Sequence, residues 1–161
     1  MKKIICVCLT LMFACFVSAC GAGTTVEPTV RNVKFSAKLL DDGSECICTF
    51  DGDGNMTAIS LKPENCEGMQ SFYTPEGKKT TYLGIEYESG SAQAEQSVSD
   101  FVYEAFCSVD SRAQKSGTLY HVSVKKDANT YDLYFTPMGL PNKMTVNKQT
   151  EIEFFDVTPE K

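Results

Sequence analysis

The chain has 161 residues and a formal net charge of −6, from fifteen basic and twenty-one acidic side chains. An acidic chain with no basic stripe lacks the electrostatic footprint of a nucleic-acid binder, and it has no polybasic segment to dock on anionic lipid. Its length suits one domain with a substantial core.

In chain order the first features are Lys2-Lys3, an apolar run from Ile4 to Val17, and Ser18-Ala19-Cys20-Gly21. Positive residues, then an apolar stretch, then small residues follow the order of a secretory signal peptide. The run is short for a membrane span, which needs roughly 20 apolar residues. Val17-Ser18-Ala19-Cys20 resembles the lipobox of bacterial lipoproteins, with Val17 where Leu is commoner. The resemblance implies cleavage between Ala19 and Cys20, a diacylglyceryl thioether on Cys20, and acylation of the new amine. Two or more acyl chains hold a protein stably, since each buried CH2 contributes ~0.8 kcal/mol. The expected location is therefore the extracytoplasmic face of a bacterial membrane, with the protein lipid-anchored through Cys20. Gly21 in place of Asp gives no inner-membrane retention signal by the family's rules. An ordinary signal peptide with a chance cysteine, or an uncleaved anchor, stays open as an alternative.

Residues 1–19 are thus expected as the signal peptide and 20–31 as a flexible, Thr- and Gly-rich tether. A single β-rich domain is expected over 32–157, and 158–161 as a tail. Val33, Phe35, Ala37 and Leu39 alternate with polar residues, as in a half-buried strand. Asp41-Asp42-Gly43 turns the chain, and Cys46, Cys48 and Phe50 share the next inner face. The run Asp51-Gly-Asp-Gly-Asn55 forms a turn before a third strand with Thr57, Ile59 and Leu61. Pro75-Glu76-Gly77 joins Met69–Tyr73 to Lys79–Tyr87 in a hairpin. Val98, Phe101, Val102, Ala105 and Val109 form a helical apolar stripe, with Ser97 and Asp100 resembling a capping box. Strands resume with Tyr120, Val122 and Val124, then Tyr131, Leu133 and Phe135, and close with Met144, Val146, Ile152 and Phe154. The fold class is α+β: a curved antiparallel β-sheet, a half-barrel-like meander of about eight or nine strands, wrapped around one main helix near residues 97–109.

Ile59-Ser-Leu-Lys-Pro63 with Cys66-Glu-Gly-Met69, and Tyr131-Asp-Leu-Tyr-Phe-Thr136 with Gly139-Leu-Pro-Asn-Lys-Met-Thr-Val146, are similar to steps in the LolA/LolB/LppX-like lipoproteins. That resemblance spans roughly residues 32–157. It implies an open half-barrel whose concave face carries acyl chains or other apolar ligands. The helix that precedes the first strand in the carrier proteins has no counterpart here.

Candidate chemistry is sparse. Cys6, Cys8 and Cys15 serve as small apolar residues of the leader. Export permits disulfides. Cys46 and Cys48 lie roughly 7 Å apart along one strand face, too far for easy mutual bridging, so a bridge from Cys46 or Cys48 to Cys66 is the pairing considered. Unpaired buried thiols are the plainer reading. Zinc held by these three with Cys107 fits no ligand spacing, and no metal or cofactor is expected. Asp51-x-Asp53-x-Asn55 opens like a calcium loop, but Met56 and Lys62 stand where Gly and Glu are required. His121 is the single histidine. A Cys107–His121 nucleophile and base pair has nothing to orient it. Glu86 and Glu88 sit side by side rather than across a cleft, and no phosphate loop occurs.

The expected function is a membrane-anchored, non-catalytic binding or carrier module for an apolar, lipid-like ligand, lined by Phe35, Leu39, Phe50, Phe101, Leu133 and Phe135. The alternative is an envelope protein–protein interaction or inhibitory module with a filled core. The partners expected are the membrane, an apolar small molecule or an envelope protein, and no nucleic acid.

Overall fold

The computed structural model describes residues 24–88 and 96–160. The expected leader, the expected Ala19–Cys20 cleavage site and the expected lipid site at Cys20 lie outside the described residues. The strands are β1 (Thr25–Val26), β2 (Val33–Leu39), β3 (Glu45–Phe50), β4 (Met56–Lys62), β5 (Gln70–Thr74), β6 (Gly77–Tyr82) and β7 (Ile85–Glu88). The helix α1 (Val98–Cys107) follows, then β8 (Ala113–Ser116), β9 (Leu119–Lys126), β10 (Asn129–Phe135), β11 (Pro141–Val146) and β12 (Thr150–Pro159).

All twelve strands join one antiparallel sheet in the order β1-β8-β9-β10-β11-β12-β2-β3-β4-β5-β6-β7. Two meanders, β2 to β7 and β8 to β12, meet where β12 pairs with β2. The connection between them carries the one α-helix among the described residues. The α+β class, the antiparallel open sheet and the single helix are as expected. The strand number is not: twelve replace the expected eight or nine.

The reasons are local. The run Lys79–Tyr87, read as one strand, is broken by Leu83 and Gly84, both at positive φ (51° and 79°), so it folds back as β6 and β7. β8 has three exposed residues of four and little alternation to see. β1 lies in the segment read as tether. Thr25 and Val26 pair with Gln114 and Ala113, Thr29 donates to the Gly139 carbonyl at 2.8 Å, and Val30 is buried. Residues from Thr24 onward are therefore tied to the sheet. At the other end β12 runs two residues beyond the expected boundary, with Thr158 and Pro159 paired to Lys34 and Val33.

Register decides which side chains share a face. Val33 opposes Phe50, Phe35 opposes Cys48 and Ala37 opposes Cys46. On β4 the inward residues are Met56, Ala58 and Ser60, so Thr57, Ile59 and Leu61 face outward. Leu133 lies between Val122 and Met144, and Tyr131 between Val124 and Val146. These inward rows form the core. The opposite face is a polar ladder in which His121, Tyr134, Lys143, Glu153, Lys38, Glu45 and Lys62 are successive cross-strand neighbours.

α1 lies on the inner face against β2, β3 and β9. Ser97 caps it: its hydroxyl accepts from the Asp100 N–H at 3.3 Å, and the Asp100 carboxylate accepts from the Ser97 N–H at 2.8 Å. This reciprocal pair satisfies two otherwise orphaned donors. Val98, Ser99, Val102, Ala105 and Phe106 are its buried residues.

Candidate functional site

The concave face is the natural place for a ligand, and α1 occupies it. Phe106 stands 5.2 Å from the Phe35 ring, 5.7 Å from Phe50 and 5.6 Å from Phe154. Tyr103 stacks between Phe50 (5.8 Å) and Tyr73 (4.9 Å). These separations are those of packed aromatic pairs, each worth ~0.5–1.5 kcal/mol beyond burial. Of the residues expected to line a groove, Phe35, Phe50, Leu133 and Phe135 are fully buried in the core. Leu39 and Phe101 are half-buried against it. The four buried residues meet helix and sheet neighbours, while Leu39 also lines a cleft at the start of α1.

Polar clamps secure both ends of the helix. At its start, the Tyr73 hydroxyl lies 2.8 Å from Ser99 and donates to Asp100 at 2.9 Å, and the Lys78 ammonium donates to Asp100 at 2.7 Å. Burial alone would raise the Asp100 carboxyl, but the Lys78 and Ser97 bonds and the Lys78 charge hold it below its ordinary range. Burial, with the Asp100 charge, raises Tyr73. Further along, the Tyr131 hydroxyl donates to Glu104. Burial and that bond raise Tyr131, while burial and the neighbouring Cys107 push Tyr103 up to about 12. These hydroxyls serve as donors, not as bases. Tyr73 and Lys78 carried no signal of this role, because only the β5–β6 register puts both on the inner face opposite α1.

Several clefts flank the helix, and two of them matter here. One, of about 130 Å3, opens between its N-terminal end and β3–β4, with Cys46, Ser60, Cys66, Met69 and Ser97 on its walls. The other, of about 440 Å3, collects Arg31, Asp53, Tyr103, Glu104, Cys107 and Lys126 near the C-terminal end. Arg31 lies over the Phe50 ring at 5.1 Å, and its Nη1 is buried without a hydrogen-bond partner.

The remaining sequence candidates fall apart in space. Cys46, Cys48, Cys66 and Cys107 are all free thiols, so the considered bridge to Cys66 is absent, although Cys46 and Cys66 share a cleft. Cys107 is exposed at the far end of α1, away from the other three. His121 projects from the outer face, 3.0 Å from Asp132, so it cannot serve Cys107 on the inner side. Burial would raise Asp132, but bonds from Ser123 and His121 hold it low. Ser123 and His121 thus share one carboxylate. The Asp51 carboxylate accepts from the Asn55 side chain and from the Asp53 and Asn55 amides, all within 2.9 Å. Those bonds, the Asn55 side chain's foremost, hold it low, and they make the loop an Asx turn. Among the described residues no three His, Cys, Asp or Glu side chains converge as a metal site, and no helix is long and apolar enough to cross a membrane.

Fold and site together define an α+β protein: an open, curved antiparallel sheet packed on one helix, with small clefts at the helix ends. No family model matches the sequence, and no curated protein matches it significantly. Among solved structures, an uncharacterized conserved protein from Thermus thermophilus is similar at 10% identity over 80% of this chain and 78% of that one, with a TM-score of 0.47.

Proposed function

We propose that the chain is a membrane-anchored, extracytoplasmic lipoprotein that acts as a non-catalytic protein-interaction module, its sheet a half-barrel of the LolA/LolB/LppX kind with a filled interior. The observation that carries the filled-core reading is Phe106, packed against Phe35, Phe50 and Phe154 where a carried acyl chain would lie. A ligand there would have to displace α1 and its clamps. The anchor rests on the Val17-Ser18-Ala19-Cys20 motif.

The interaction surface is the β6–β7 end of the sheet. There the concave face runs beyond the helix, and Ile85 and Tyr87 are 57% and 53% exposed on it, with Leu83 at the hairpin tip 84% exposed. Among the described residues β7 ends the strand order and has no strand on its outer edge, the geometry used for strand addition. The net charge of −6 favours a basic partner. The occupant is an extended segment of another envelope protein, alternating apolar and basic side chains.

Photo-crosslinkers at Tyr87 and, as control, at Thr145 on the outer face test this. One envelope protein joined through an extended basic segment at Tyr87 but not at Thr145, and lost in Ile85→Asp, supports it. Saturable 1:1 binding of a fluorescent fatty acid, displaced by phospholipid, overturns it in favour of the carrier.

A further inference from the structure

Cys46 and Cys48 point to the same inner face of β3, and their sulfurs lie 3.5 Å apart. The two residues are 4% and 0% exposed. Cys46 forms part of the wall of the cleft beside the start of α1, and Cys66 and Met69 stand on that same cleft. One opening therefore gathers three sulfur side chains, with the Cys48 sulfur directly behind the first.

We propose that this cleft binds one monovalent copper ion through Cys46, Cys48 and a third sulfur from Cys66 or Met69. Thiolate and thioether donors select Cu(I). Structural zinc takes four ligands, which a three-sulfur set does not supply, and a thioether from Met69 does not serve it.

Geometry argues for a third donor. With metal–sulfur bonds of about 2.3 Å, two sulfurs on one ion stand about 3.8 Å apart in tetrahedral, about 4.0 Å in trigonal and about 4.6 Å in linear coordination. The observed 3.5 Å is a small side-chain rotation from the first two and far from the third. Cys66 closes the short 3-10 turn Glu64–Cys66, which packs on β4. Among the described residues no three His, Cys, Asp or Glu side chains converge, so a shift of this turn or of the Met69 side chain completes the site. On binding, the Cys46 and Cys48 thiols each lose a proton to solvent and the ion takes both thiolates, with no change of oxidation state. Because both thiols must lose their protons to bind the ion, affinity strengthens as pH rises.

The test is an anaerobic Cu(I) titration of the membrane-extracted full chain against bicinchoninate. The expected result is one site per chain that weakens at least about tenfold in Cys46→Ser and in Cys48→Ala, and is unchanged in Cys107→Ser. In the unsubstituted chain, copper should also shield Cys46 from iodoacetamide, a readout that needs no variant to fold. Equal copper affinity in the parent chain and Cys46→Ser overturns the proposal. So does unchanged alkylation of Cys46 under saturating copper, or mass mapping that finds Cys46 or Cys48 in a disulfide.

Discussion

Lys78 on β6 and Asp100 in the first turn of α1 form a 2.7 Å ion pair that joins the far end of the sheet to the helix. The same carboxylate completes the helix cap and accepts from Tyr73. One side chain thus couples helix initiation to sheet packing, and its charge state matters for stability.

The folded Asp100 carboxyl lies below its ordinary range, so it adds stability above the unfolded value of about 3.9 and loses it as pH falls through the folded value. Asp100→Asn should reduce stability at neutral pH by roughly 1–2 kcal/mol, through loss of the cap and the ion pair. As pH falls below the unfolded value and through the folded one, the gap from the parent chain should shrink. Urea midpoints measured across this range check both statements, and an unchanged gap at low pH contradicts them.

Phe106 is fully buried among three other aromatic rings. Phe106→Ala should destabilise the domain by about 3–5 kcal/mol. If the variant stays folded, the space it opens should admit a small apolar fluorophore that the parent chain excludes. Denaturation and probe titration on the same samples measure the two effects together.

Gly139 sits at φ +80°, and a Cβ there would come within 2.2 Å of the Glu27 carbonyl oxygen. Gly139→Ala should cost roughly 1–3 kcal/mol and push the segment before β2 off the sheet. Hydrogen exchange at the Thr29 amide, which donates to Gly139, should accelerate while amides of β10 keep their protection.

Cys20→Ser removes the only atom that the proposed anchor can use. The chain should then partition from the membrane fraction into the soluble fraction without any change in the melting of its domain. Retention on membranes after carbonate washing would contradict the lipid anchor.

Much of the fold was legible because period-two alternation is a local signal. Val33 to Leu39, Cys46 to Phe50, Tyr120 to Val124 and Tyr131 to Phe135 show their inward faces directly in the sequence, and Ser97 with Asp100 marks the start of the helix. β1 and β8 were illegible for the opposite reason. Thr25–Val26 and Ala113–Ser116 have little alternation and acquire strand geometry only from each other and from β9. The β6–β7 turn was missed because Leu83 does not resemble a turn residue, although Gly84 beside it does.

The sequence by itself determined most of the inward rows, the helix and its cap. Only the tertiary structure decided whether the concavity is open or full, because that depends on distances between residues far apart in the chain. Phe106 reaches Phe35 and Phe154 across three separate elements, and no local pattern encodes that contact. The same holds for the sulfurs: spacing puts Cys46 and Cys48 on one face, but the pairing of β3 with β4 and the fold of the following turn bring Cys66 and Met69 to the same cleft.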